Sequence, residues 1–118
     1  MTKEEKQLLL IDLCARLPHH VRCKVWLKDD TTEEGFLDLE HNYGNVLQDA
    51  FYYNKIKDVK PYLRPMSSMT KEEEETECYL RTYQARRYAD FCNSKHLDYR
   101  GLIEKGLALE APEDMYKF

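Results

Sequence analysis

The sequence predicts an α+β fold: an N-terminal helix, a small curled antiparallel sheet and C-terminal helices. Three patterns carry that expectation. Apolar residues recur at helical spacing up to Pro18, alternate at period two from Val21, and return to helical spacing after Thr70. At 118 residues the chain is expected to form one domain, 1–118. Within it, 1–18 reads as helix, 19–66 as a small β-sheet, and 67–118 as a helical segment with an extended tail.

The first helix opens with Thr2 and Glu5 at the spacing of a capping box, in which each side chain satisfies a free N–H of the first turn. Leu10, Leu13, Cys14 and Leu17 make its apolar stripe, and Pro18 ends it by removing a donor. Val21, Cys23, Val25 and Leu27 then alternate with Arg22, Lys24 and Trp26, as in a half-buried strand. The polar run Lys28 to Glu34, closed by Gly35, reads as a turn, Phe36 to His41 as a second strand and Val46 to Tyr53 as a third. Short connections between them imply an antiparallel meander. Ile56 to Pro65 reads as a short turn and a brief extended piece near Tyr62, since Pro61 and Pro65 disfavour a long helix or a central strand. The sheet would then hold three to five strands, with an SH3-like barrel as its closed form.

Thr70 and Glu73 repeat the capping-box spacing, and Glu72 to Glu75 place negative charge at the positive end of a helix dipole. A long helix, open to interruption, is expected from Thr70 to Ser94, with Leu80, Tyr83, Tyr88, Phe91 and Cys92 as its stripe. Asp98 is placed to cap a short helix through Ile103, and the tail from Leu107 is expected to run extended along the surface.

Composition narrows the function. The net charge of −4 argues against a dedicated nucleic-acid binder, which normally carries a basic excess. No apolar run approaches the ~20 residues needed to span a bilayer, so a soluble, cytoplasmic protein without membrane contact is expected. Cys14, Cys23, Cys78 and Cys92 form no CxxC pair and read as reduced thiols half-buried in the core. Cys92 and His96 share a helical spacing, but a zinc site needs three or four converging ligands, so no metal is expected. Ser67 and Ser68 sit in no nucleophile elbow and read as helix-capping residues, and no phosphate loop, dinucleotide fingerprint or HExxH is present. No catalytic residue and no cofactor is expected.

Two surfaces remain. Residues 51–65 combine Lys55, Lys57, Lys60 and Arg64 with Tyr52, Tyr53 and Tyr62, the materials of single-strand binding. Tyr99, Arg100, Leu102 and Ile103 form an apolar cluster near the chain end, which either packs back on the sheet or lines a partner surface. Lys57, Lys60, Tyr62, Arg64, Tyr99, Arg100, Leu102 and Ile103 are therefore the candidate interaction residues.

Three strings, DLCARLP (Asp12 to Pro18), KPYLRPMSSMT (Lys60 to Thr70) and LDYRGLIEKGLALEAPEDMY (Leu97 to Tyr116), resemble a family of short, uncharacterised proteins found in gut Bacteroides and their prophages and mobile elements. The resemblance implies a bacterial or phage cytoplasmic origin and carries no activity, cofactor or residue role with it. The resulting expectation is a non-enzymatic protein-interaction or accessory module, its partner a protein or a second copy in a dimer. The alternative is a nucleic-acid-binding accessory protein using residues 51–65.

Overall fold

The computed structural model describes residues 2–37 and 56–116. Helix α1 spans Lys3–Arg16, and the Thr2–Glu5 capping box is present in both directions. A single turn of 3-10 helix, Leu17–His19, follows with Pro18 inside it. The buried face of α1 is Leu9, Asp12, Leu13 and Arg16; of the expected stripe Leu13 is buried, Leu10 and Leu17 pack partly buried against the core, and Cys14 is exposed. The face is turned because it takes a charged pair inside. Arg16 Nε lies 2.8 Å from Asp12 Oδ2, and neither side chain has any solvent exposure. Arg16 Nη2 also donates to the Leu97 carbonyl at 2.7 Å, and Arg100 Nε donates to Asp12 Oδ1 at 3.1 Å.

Strand β1 is Val21–Leu27, as the alternation predicts, with Val21, Cys23 and Val25 buried. Strand β2, Thr32–Leu37, begins four residues before the expected Phe36. The turn is tighter than its polar run implies: Leu27 N–H donates to Thr31 O, and the Asp29 carboxylate accepts from Thr31 N–H and its hydroxyl. Thr32 to Glu34 read as turn because β2 is, among the described residues, an edge strand, where charged side chains are tolerated. The remainder of the expected second strand, the Asn42–Gly44 turn and the expected strand Val46 to Tyr53 lie outside the described residues.

Ile56–Leu63 is not a turn and a brief extended piece but an eight-residue strand, β3, lying between β1 and β4 (Leu109–Glu110). It pairs antiparallel with β1, Val25 opposite Val59 and Cys23 opposite Pro61, and parallel with β4 at Tyr62 and Leu63. Pro61 is accommodated because it shares the orientation of Leu63, whose carbonyl accepts from Ala111 N–H on the β4 side. Its missing donor therefore faces away from β1, just before the β4 pairing begins. Among the described residues the sheet is mixed and open, in the order β2-β1-β3-β4, and does not close into an SH3-like barrel.

Beyond a 3-10 turn at Met66–Ser68, the Thr70–Glu73 capping box starts helix α2, Lys71–Tyr83. Ser68 does not cap that helix; its hydroxyl donates back to the Pro65 carbonyl. The expected long helix breaks at Gln84 (φ −139°, ψ 67°), and α3 runs over Ala85–Ser94. The break turns Tyr83 out to solvent, so it leaves the stripe. Asp98 caps a series of turns rather than a helix, its carboxylate accepting from Leu102 and Ile103 N–H. Gly106, at φ +73°, closes those turns in a conformation that strains other residues.

Leu102, Leu107 and Ala108 return to the core beside Leu9, Leu13, Val21, Cys23, Val25, Val59 and Leu63. The tail thus begins packed inside at Leu107 and Ala108, then runs extended as β4, with Glu110 and Pro112 to Asp114 exposed as expected. Its last described residue, Tyr116, places its hydroxyl between two strands, accepting from Arg22 N–H at 2.9 Å and donating to the Tyr62 carbonyl at 2.7 Å. It fills the position where the next direct β1–β3 bond would form. No helix among the described residues is long and apolar enough to cross a membrane.

Arg16→Ala leaves Asp12 buried with one of its two guanidinium partners, and urea unfolding is expected to show a loss of about 3–5 kcal/mol. Tyr116→Phe keeps the ring but strands an N–H and a carbonyl, for a loss of about 1–3 kcal/mol and faster exchange of the Arg22 amide.

Candidate binding face

Alternation along β1 and β3 sends Val21, Cys23, Val25, Val59, Pro61 and Leu63 inward, so the residues between them share the opposite face. Strand register then sets the rows. Lys24 stands opposite Glu34 on one side and Lys60 on the other, and Trp26 stands between Thr32 and Asp58. The two ammonium groups converge on one ring: Lys24 Nζ is 5.4 Å and Lys60 Nζ 5.6 Å from the Trp26 centroid. Like charges directly opposite each other repel across a sheet. The negative face of the indole offsets that repulsion, each such contact contributing about 0.5–1 kcal/mol at a partly exposed site. All of Arg22, Lys24, Trp26, Asp58, Lys60 and Tyr62 are half-buried, so the face remains accessible.

The acids of this face are occupied within it. Glu34 accepts the Tyr62 hydroxyl hydrogen bond and lies 3.9 Å from Arg22 Nη2, linking β2, β1 and β3 across their outer surface. That hydrogen bond is the main cause that raises the Tyr62 phenol above its usual range. The Asp58 carboxylate turns back to accept from Val59 N–H at 2.8 Å, capping a donor on the open side of β3. The cations thus project toward solvent while the carboxylates are drawn into the sheet.

Of the expected interaction residues, the structure brings Lys60 and Tyr62 together on this face. Lys57 lies on β3, and its side chain falls outside what is described. Arg64 is a scaffold residue: its guanidinium holds Glu73 at 2.7 and 2.9 Å and donates to the Ser68 and Lys95 carbonyls. Tyr99 and Arg100 belong to the buried network, the Tyr99 ring lying 5.6 Å from the Arg16 guanidinium and 4.7 Å from that of Arg100. Leu102 has no exposure and Ile103 packs against the core, so this pair presents no apolar patch to a partner. Trp26, Lys24, Arg22 and Glu34 were missed from sequence, although the alternation of β1 already placed the first three on one face. What was lacking was the pairing of β1 with β3.

A cleft of about 790 Å³ opens where the end of β3 meets the start of α2 and the tail. Arg64, Glu73, Lys95, Glu110 and Tyr116 line it. The Arg64 hydrogen bonds hold the Glu73 carboxyl at about 2, well below its usual 4.5. Behind it, His96 adopts φ +59° and stacks on Tyr116 with centroids 3.9 Å apart. Burial, with Arg16, His19, Arg64 and His20 nearby, lowers its imidazole to about 4. His96 lies beyond the end of α3, and no three potential metal ligands converge among the described residues. Cys23 and Cys92 are buried and Cys14 and Cys78 exposed, all four as free thiols; burial pushes Cys23 up to about 12.

Comparison with known proteins finds no protein family that matches the chain, and no matching curated protein or solved structure.

His96 and Glu73 both set an acid limb. The unfolded chain protonates His96 near 6.5 and the folded one near 4, so stability falls as pH drops through that interval. Glu73 extends the fall between 4.5 and about 2. His96→Asn, which tolerates the left-handed φ, is expected to remove the first part of the limb in pH-dependent urea titrations, and Glu73→Gln the second. On the outer face, Lys60→Gln relieves a like-charge pair and is expected to change unfolding stability by less than about 1 kcal/mol.

Proposed function

We propose that the protein is a non-enzymatic interaction module that docks an acidic segment of a partner protein on the outer face of its sheet. The observation that carries this is the pair Lys24 and Lys60, held opposite each other over Trp26. An anionic group placed between the two ammonium ions relieves their repulsion and gains two charge-assisted contacts at once. Trp, Tyr and Arg are also the residue types that dominate protein interfaces, and Trp26, Tyr62 and Arg22 share this face. In keeping with the resemblance of its three strings, the protein is placed in the cytoplasm of a bacterium or its prophage-bearing host as an accessory component.

Single-stranded nucleic acid is the second reading, favoured by the same Lys–Trp–Lys arrangement, which could pair phosphates while the indole stacks a base. The net charge of −4 works against it, because a long polyanion is repelled by the rest of the surface as well as attracted to this face. A short acidic peptide meets less of that field.

Trp26 is the single tryptophan of the chain, so its emission reports on this face alone. Titration with an oligo-glutamate peptide is expected to shift that emission saturably, with binding lost in the Lys24→Gln/Lys60→Gln variant. Tighter binding to oligo-deoxythymidine, falling steeply with salt, would transfer the assignment to nucleic acid. No response to either probe would remove the face as a binding site for anions.

A further inference from the structure

The outer sheet face gathers positive charge at one point. Lys24 and Lys60 are directly opposed in the β1–β3 pairing, and Glu34 completes their row from β2. Side chains at opposed positions start about 4.5–5.5 Å apart, so the two lysines rise side by side. Both end against one ring, their Nζ atoms 5.4 and 5.6 Å from the Trp26 centroid. Neither ammonium is in an ion pair among the described residues. Glu34, the acid of their own row, is turned to the Tyr62 hydroxyl and to Arg22. Asp58, the acid of the next row, is turned to Val59 N–H. Both positive charges are therefore left uncancelled beside a single indole.

A lysine is a compact point charge on a flexible stem, which suits an anion with several acceptor oxygens around one centre. The planar fork that matches a carboxylate belongs to arginine, and Arg22 of this face lies against Glu34. One carboxylate brings one negative charge and leaves an ammonium uncompensated, whereas two carboxylates repel each other in the same space. A phosphate monoester brings close to two charges at neutral pH and three acceptor oxygens in one group. A phosphodiester of nucleic acid brings only one charge per phosphate. Resting on the reading of this face as a docking site, we propose that the group it selects is a phosphorylated side chain on the partner's segment, seated between Lys24 and Lys60 beside Trp26.

Such recognition depends on pH through the ligand, because the monoester gains its second charge near about pH 6. The charged and titratable groups described on the face are Arg22, Lys24, Glu34, Asp58, Lys60 and Tyr62, and the turn after β1 adds Lys28, Asp29 and Asp30. None of them is a histidine, so the fall in binding below about pH 6 belongs to the phosphate.

The test titrates the full chain with a labelled peptide holding one phosphoserine among neutral residues, beside the same peptide with glutamate at that position, read by peptide anisotropy and Trp26 emission. The phosphopeptide is expected to bind about tenfold tighter or more. Lys24→Gln and Lys60→Gln should each cut that preference to about threefold or less. From about pH 7.5 to about pH 5.5 the phosphopeptide should weaken about threefold while the glutamate peptide holds. Phosphorus NMR should show the second ionisation of the bound phosphoserine moved below its free value, since two nearby cations favour the charged form. If oligo-glutamate binds but the phosphopeptide is no tighter than its glutamate counterpart, docking of acidic segments stands and the phosphoryl assignment falls. The assignment falls too if the phosphopeptide binds no tighter than inorganic phosphate, or equally well to the Lys24→Gln/Lys60→Gln variant. Silence toward every one of these probes removes both readings of the face.

Discussion

A guanidinium with no solvent exposure is the constraint around which the described structure is arranged. Arg16 is held by Asp12 one helical turn back and by the Leu97 carbonyl from the far end of the chain. Asp12 needs a second cation to complete its shell, and Arg100 supplies it from the turns after α3. Taking such charges out of water is costly, and the cost is met only when the geometry of every partner is kept. The network therefore fixes how α1 lies against residues 97–100, and through them the path of the C-terminal segment. An apolar contact of similar area would hold the same elements together with less control of their orientation, because it has no preferred direction.

Arg64 extends the same arrangement by one more residue of contact. Its N–H donates to the His96 carbonyl and its carbonyl accepts from Asp98 N–H, while its side chain holds the start of α2 through Glu73. The three strings Asp12 to Pro18, Lys60 to Thr70 and Leu97 to Tyr116 consequently meet in one packed unit. Arg16 joins the first to the third, and Arg64 and Tyr116 join the second to the third. Residues that looked like a binding surface in the sequence, Arg64, Tyr99, Arg100 and Leu102, are the joints of this unit.

With those residues committed inside, the outer sheet face is the one left accessible among the described residues. It inherits its character from the core indirectly. Burying Val21, Cys23 and Val25 on one side of β1 obliges Arg22, Lys24 and Trp26 to face the other, and β3 does the same for Lys60 and Tyr62. The rigid sheet holds two cations against one aromatic ring, a preorganisation that loops would not maintain. Pro61 offers no donor and Asp58 caps that of Val59, so the side of β3 left open among the described residues is a poor template for strand addition.

How much of this was legible from sequence follows the range of the interactions involved. Both capping boxes, strand β1 from Val21 to Leu27, and the helices around the C-terminal half were readable, because each rests on residues within one or two turns of one another. Strand β3 was not, since Pro61 forbids a central strand unless its missing donor faces the unpaired side, and only the pairing partner decides which side that is. The buried face of α1 was legible only in part, because a buried Asp–Arg pair looks polar until residues 97 and 100 arrive to hold it. The candidate face was half legible: Lys60 and Tyr62 were singled out, but Trp26 and Lys24 join them only through the β1–β3 register. By itself the sequence determined the starts of α1 and α2, the inward and outward residues of β1 and the α+β class, all set by local hydrogen bonding and short-range periodicity. The tertiary structure alone decided which charges are buried, which tyrosines are exposed and which cations share a ring, because each depends on partners far along the chain.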